Sequence, residues 1–152
     1  MVDIIHRVGI KAPLAKVYAA VATVGGVAGW WTEETSGESK PGGTLKVLFR
    51  KPDGGEMGSM EFEVLELSQG QSVRWRVKAG PPEWLGTDVT FQLRQDGEYT
   101  VVNFGHVNWR EPVDFMRHCS TKWATFLLSL KELVETGKGR PSPDDVKIDN
   151  WN

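Results

Sequence analysis

Hydrophobic and polar positions alternate over most of this chain and switch to a helical period at two places. Residues 3–10 place Ile4, His6, Val8 and Ile10 on one face and Arg7 on the other, which predicts a strand with a single breach at Ile5. Pro13 then stands at a favourable first helical position, and Leu14, Val17, Tyr18 and Val21 follow at helical spacing. A short helix is expected there, ended by Gly25 and Gly26, with a second helical turn over Val27 to Trp31 that carries the Trp30-Trp31 pair. Leu45, Val47 and Phe49 alternate within 43–50, and Pro52-Asp53-Gly54-Gly55 marks a turn. Within 58–67 the apolar set changes phase, from Met60, Phe62 and Val64 to Leu65 and Leu67, which predicts a bulge or sharp bend near Val64.

Residues 72–78 alternate most cleanly, with Val73, Trp75 and Val77 against Arg74, Arg76 and Lys78. Pro81-Pro82 interrupts the chain. A strand is expected over 84–94, a hairpin turn at Asp96-Gly97 and a last strand over 99–108. From Pro112 to Thr136 the period becomes helical. With Phe115 set at zero and 100° per residue, Phe115, Met116, Cys119, Trp123, Phe126, Leu127, Leu130, Leu133 and Val134 fall within an arc of about 120°. Strands fill the middle and helices the ends, so the class is α+β, with short connections that make the sheet antiparallel. Residues 138–152 are polar, with early Gly and Pro, and are expected to form an extended, partly ordered tail.

Composition narrows the function classes. A chain of 152 residues favours one domain with a core of its own. A net charge of −2 without a basic stripe argues against nucleic acid as a partner. No run approaches the roughly 20 apolar residues of a membrane helix, and Asp3, His6, Arg7 and Lys11 interrupt any leader-like stretch. One cysteine permits no internal disulfide and suits a reducing compartment, so a cytoplasmic domain is expected.

Seven tryptophans are the unusual count: Trp30, Trp31, Trp75, Trp84, Trp109, Trp123 and Trp151. Each buried indole N–H calls for a partner. The residues fit either a tryptophan-rich core or an aromatic-walled pocket, since pockets are lined mainly by apolar and aromatic groups. Trp75 belongs to the inward set of its strand and Trp123 to the helix arc, so the two are expected to face each other. Trp30 and Trp31 are placed to narrow a pocket mouth, Trp84 and Trp109 to form its rim, and Trp151 to be exposed or dock on a partner.

"APLAKVYAAVATVGGVAGWWT", "PGGTLKVLF", "EVLEL" followed by "VRWRV", "PPEWLGTDVTFQL" and "HCSTKWATFLLSLKELVETG" together resemble the helix-grip superfamily, START-like and birch-pollen-allergen-like. Within it they are similar to the bacterial branch related to the activator of heat-shock protein 90 ATPase. The resemblance covers residues 3–137 as a single domain. It implies a curved antiparallel sheet of about six to seven strands wrapped around the long C-terminal helix, with one or two short helices after the first strand and a cavity between sheet and helix. Members bind lipids, hormones or polyketides, and some catalyse cyclisation or hydroxylation. Eukaryotic co-chaperones of the group add a second chaperone-binding domain, for which 152 residues leave no room. No shared catalytic motif and no cofactor come with the resemblance.

Candidate chemistry is sparse. His6, His106 and His118 lie on three different elements without metal-ligand spacing, so no metal is expected. His118 sits about 60° off the aromatic arc, at its border, as a rim group. Cys119 points about 100° away from it, which disfavours a Cys–His nucleophile pair and suits a packing residue. His106 enters the cavity if the face it shares with Val102 and Phe104 is inward. The leading expectation is a carrier or sensor for a small hydrophobic or aromatic ligand. Its walls are Trp75, Phe115, Cys119, Trp123 and Phe126, with Trp30, Trp31, Trp84 and Trp109 around the mouth and rim and polar contacts from His106 and His118. The alternatives are a protein-interaction module related to chaperone ATPase activators and a cyclase or hydrolase on hydrophobic substrates using His106 or His118, with a homodimer through a strand edge or the tail also open.

Overall fold

The structure, a computed structural model, describes residues 1–152. Seven antiparallel strands form one sheet in the order β1-β7-β6-β5-β4-β3-β2. They are β1 (Val2–Ile10), β2 (Glu34–Gly37), β3 (Thr44–Arg50), β4 (Glu56–Ser68), β5 (Ser72–Ala79), β6 (Asp88–Asp96) and β7 (Tyr99–Trp109). Two short helices, α1 (Leu14–Ala22) and α2 (Val24–Trp30), follow β1, and the long helix α3 (Asp114–Thr136) follows β7. This is the α+β order read from the periodicity and the helix-grip arrangement that the family resemblance implies.

The core lies between the inner sheet face and the helices. Phe62, Val64, Val73, Trp75, Val77, Val89, Phe91, Val102 and Phe104 from the sheet are all at most 3% exposed. They pack against Val17 and Val21 of α1, Trp30 of α2, and Trp123, Leu127 and Leu130 of α3. The alternation that predicted the strands is thus the alternation of burial. The phase change in β4 is real: its pairing with β5 shifts register between Val64 and Glu66, and again between Glu61 and Phe62. Such shifts bend the strand and help curl the sheet around α3.

Several local expectations are corrected. Gly25 and Gly26 do not end the first helix. Thr23 does, and it also caps α2 by accepting the Gly26 N–H. Gly26 lies inside α2, where a Cβ would stand 2.6 Å from the carbonyl oxygens of Ala19 and Ala20. The tight α1–α2 corner therefore excludes any side chain. Pro13 precedes α1 in an extended conformation rather than forming its first residue. The segment 84–94 is not one strand: Pro82–Trp84 makes a 3₁₀ turn, Leu85 is exposed, and β6 starts only at Asp88. Pro81-Pro82 sets that turn, which takes Trp84 out of the alternating pattern. The long helix begins at Asp114 rather than Pro112. The strand β2, too short and polar to show a pattern, was not expected; Arg50 of β3 holds it by a two-pronged ion pair to Glu34.

The tail is ordered against the body. Ser142 pairs with Thr32 in an isolated bridge, donating its N–H to Trp31 O and accepting from Glu33 N–H. Arg140 N–H bonds to Ser129 Oγ, itself bonded to Trp30 O. No helix of the chain is long and apolar enough to cross a membrane.

Candidate functional site

An open cleft of about 530 Å³ lies at one end of the grip. One wall is the second half of β3 and the start of β4, with Phe49, Met57 and Met60. The second is the 3₁₀ turn, with Glu83 and Trp84. The third is α3, where helical spacing stacks Phe115, Cys119, Trp123 and Phe126 along one stripe. Trp31 closes the inner end, and Asp145, Trp151 and Asn152 reach in from the tail.

Of the residues expected to form a pocket, Trp31, Trp84, Phe115, His118, Cys119, Trp123 and Phe126 meet at this cleft. Trp30, Trp75, His106 and Trp109 do not. Trp30 and Trp75 are fully buried, and Trp75 does not face Trp123 across a void. Trp31 is wedged between them, its ring centroid 6.1 Å from Trp75 and 4.9 Å from Trp123. Trp30, Trp31, Phe91 and Phe62 pack around Trp75 so that the middle of the grip is full. Trp109 is core rather than rim, against Trp84 and His106. The expected indole partners are found only in part. Trp30 donates to Ala20 O and Trp123 to His106 Nδ1, and the Trp84 indole is directed at the Cys119 thiol, whereas the indole N–H groups of Trp75 and Trp109 are buried without a partner. An orphaned group of this kind costs about 1–3 kcal/mol.

His106 lies behind the cleft wall. Thr87 Oγ1 donates to Trp84 O at 2.6 Å, so His106 Nε2–H donates to Thr87 Oγ1 at 2.8 Å and Nδ1 accepts from Trp123 Nε1 at 3.1 Å. Both ring nitrogens are used and the imidazole is neutral. Burial holds its pKa down at about 3, against a smaller upward pull from the Asp88 carboxylate. The histidine orients Trp123 and Trp84 but does not reach the cleft. Asp88, also fully buried, is held by the guanidinium groups of Arg74 and Arg76 on the outer face. Burial raises its pKa, but the Arg76 and Arg74 bonds outweigh that and leave it lowered.

Cys119 is 5% exposed, and burial pushes its thiol pKa up to about 12. It serves as a packing residue, and a thiol raised this far carries little thiolate at neutral pH. His6, which does not line the cleft, ties β1 to α3 through Ser120 O.

On the polar side of the cleft His118 was expected as a rim group, but Lys122 and the tail carboxylates were missed from sequence. Lys122, 9% exposed, donates to Asp145 Oδ2 and to Val146 O, and its ammonium lies 5.0 Å from the Phe126 ring centroid. Burial lowers the Lys122 pKa, opposed by the pair with Asp145. His118 Nδ1 and Asp149 Oδ2 are 2.7 Å apart. Trp151 lies over Phe115 and His118 at 6.2 and 5.4 Å. One signal was present: Lys122 lies only about 20° outside the apolar arc of α3. Its carboxylate partner sits 23 residues away in a segment without periodicity, so no pattern could pair them.

The model of the family "Activator of Hsp90 ATPase homolog 1-like protein" matches residues 11–135. The solution structure of the Aha1 dimer from Colwellia psychrerythraea is 46% identical, with a TM-score of 0.78 over 91% of this chain and 100% of that one. A Mesorhizobium loti protein (18% identity, TM-score 0.72, 88% of this chain and 96% of that one) shares the fold. So does a Nitrosomonas europaea protein (14% identity, TM-score 0.74, 89% and 95%). No curated protein matches the chain.

Proposed function

We propose, from the premise that the chain belongs to the Activator of Hsp90 ATPase homolog 1-like family, that it is a non-catalytic carrier or sensor for a small apolar or aromatic ligand. The observation that carries this is the cleft of about 530 Å³ walled by Trp31, Phe49, Trp84, Phe115, Trp123 and Phe126. That volume lies in the range of small-molecule sites, roughly 300–1,000 Å³, and the lining is mainly apolar with a few polar groups at one side. Binding fits these residues better than catalysis. The buried histidine has both nitrogens occupied behind the wall, and the cysteine is a poor nucleophile.

The test has two parts. Native mass spectrometry of freshly purified protein, set against its denatured mass, is expected to show an adduct lost on denaturation. N-phenyl-1-naphthylamine, a neutral aromatic probe that brightens in apolar surroundings, is expected to bind with one-to-one stoichiometry and to be lost in Phe126→Asp. A protein that carries no adduct and does not bind the probe is not a ligand carrier.

Assembly with a second copy is the second reading. It is favoured by the 46% identity to a protein whose solution structure is a dimer. Sedimentation velocity over a concentration series tests it, with a shift toward twice the monomer mass as the expected outcome.

A further inference from the structure

The tail occupies the cleft with groups that a ligand would otherwise supply. Asp145 sets a carboxylate on the Lys122 ammonium, Asp149 sets another on the His118 imidazole, and Trp151 lays an aromatic ring over Phe115. All of these body residues are cleft lining. The Lys122–Asp145 pair is nearly dry, its side chains 11% and 5% exposed.

Two parts of the tail are held differently. Up to Ser142 the backbone is anchored, by the bridge to Thr32 and the bonds to Trp31 O, Glu33 N and Ser129 Oγ. Beyond Ser142 no backbone–backbone hydrogen bond joins tail to body; that of Asp144 goes to Pro141 within the tail. Residues 144–152 stay through Asp145, Asp149 and Trp151, with Val146 O as a further acceptor for Lys122. A segment held by a few side chains at its own competitor site can leave without unfolding the domain.

From this we infer that the ligand is an apolar or aromatic body bearing one anionic head, and that its head takes Lys122 from Asp145 while its body displaces Trp151 and releases residues 144–152. The inference rests on the ligand-binding reading above and adds the charge of the ligand and a moving strap. A charged head is needed because an apolar ligand alone, on displacing the strap, would leave the Lys122 ammonium desolvated without its counter-ion. The Phe126 ring beside Lys122 favours the cation staying in place rather than swinging out to water.

Two probes with the same ring body separate charge from apolarity: N-phenyl-1-naphthylamine is neutral, and 8-anilinonaphthalene-1-sulfonate adds one anion. Lys122→Met loosens the strap for both probes by removing the Asp145 anchor, and it is expected to lower the sulfonate-to-neutral affinity ratio at least about tenfold, the equivalent of about 1.4 kcal/mol. Asp145→Asn is expected to tighten the sulfonate probe; a strap closed about nine-tenths of the time masks affinity about tenfold. Trp151→Ala, which does not touch Lys122, is expected to tighten both probes alike and so keeps the test alive if either charge variant folds poorly. Release of the strap is read by trypsin cleavage at Lys147-Ile148 in the full chain, expected to quicken when the sulfonate probe is bound.

Neutral-probe binding with a sulfonate-to-neutral affinity ratio unchanged in Lys122→Met overturns the inference and leaves the carrier reading standing. So does cleavage at Lys147 that the bound sulfonate probe leaves unchanged or slows. Failure of both probes to bind removes the carrier reading, and this inference with it.

Discussion

Replacing His106 with asparagine is expected to remove about 2 kcal/mol of the stability loss that the wild-type protein shows between pH 7 and pH 5. In the unfolded chain a histidine takes up a proton near pH 6.5. In the folded protein burial holds His106 neutral down to about pH 3, its Nε2–H given to Thr87 and its Nδ1 filled by Trp123. Across the interval the unfolded state therefore binds more protons than the native state. Stability rises with pH there and falls on acidification. Integrating one group from pH 7 to pH 5 with those two values gives a loss of about 2 kcal/mol. With a urea slope of about 2 kcal/mol/M, the midpoint falls by about 1 M. The buried carboxylates of Asp88 and Asp145, both held below their ordinary value, add their own losses only as pH falls below about 4, where unfolded aspartates protonate. The window above pH 5 thus isolates the histidine from them. An asparagine Oδ1 can take over the Trp123 N–H, so the variant keeps one of the two bonds. The assay is urea denaturation followed by far-UV circular dichroism at half-unit steps of pH, for wild type and variant. The slope of midpoint against pH is the readout, not the absolute stability, which the substitution lowers in any case. Parallel curves from pH 7 to pH 5 would refute the assignment of a neutral, buried His106.

Three other expectations follow from the packing. Gly26→Ala forces a methyl group into the α1 carbonyls and is expected to cost about 1–3 kcal/mol. Gly25→Ala, whose Cβ meets nothing within 4 Å, is expected to be neutral or stabilising; equal losses for the two would contradict the tight α1–α2 corner. Cys119, with a pKa of about 12, holds about one thiolate in ten thousand at pH 8. Iodoacetamide is therefore expected to leave it unmodified for hours in native protein and to label it within minutes in urea, and rapid native labelling would count against its burial. Asp88→Asn leaves the Arg74 and Arg76 guanidinium groups facing a neutral buried amide and is expected to cost about 1–3 kcal/mol; a loss within about 0.5 kcal/mol, as for ordinary surface changes, would show that the pair contributes little.

Sequence alone determined the class of the fold, because the strands and α3 each bury one face and carry that fact as a period. The alternation of Val73, Trp75 and Val77 and the arc from Phe115 to Val134 are local properties, legible without knowing what lies opposite. The phase change in β4 was legible for the same reason, and the family resemblance supplied the layer order. What is opposite each face was not legible. Periodicity put Trp75 and Trp123 on inward faces, but only the tertiary structure put Trp31 between them and turned an expected cavity into packed core. His106 was inward as its strand allowed, yet the Trp84 and Trp123 rings that separate it from the cleft come from elements 22 and 17 residues away. The polar side of the cleft was hidden more completely. Lys122 and Asp145, or His118 and Asp149, are single side chains meeting across 23 and 31 residues, and a point contact between an element and an aperiodic tail leaves no repeat along the chain. A face is written in sequence because many residues share it; a pair is decided only when folding brings two residues together.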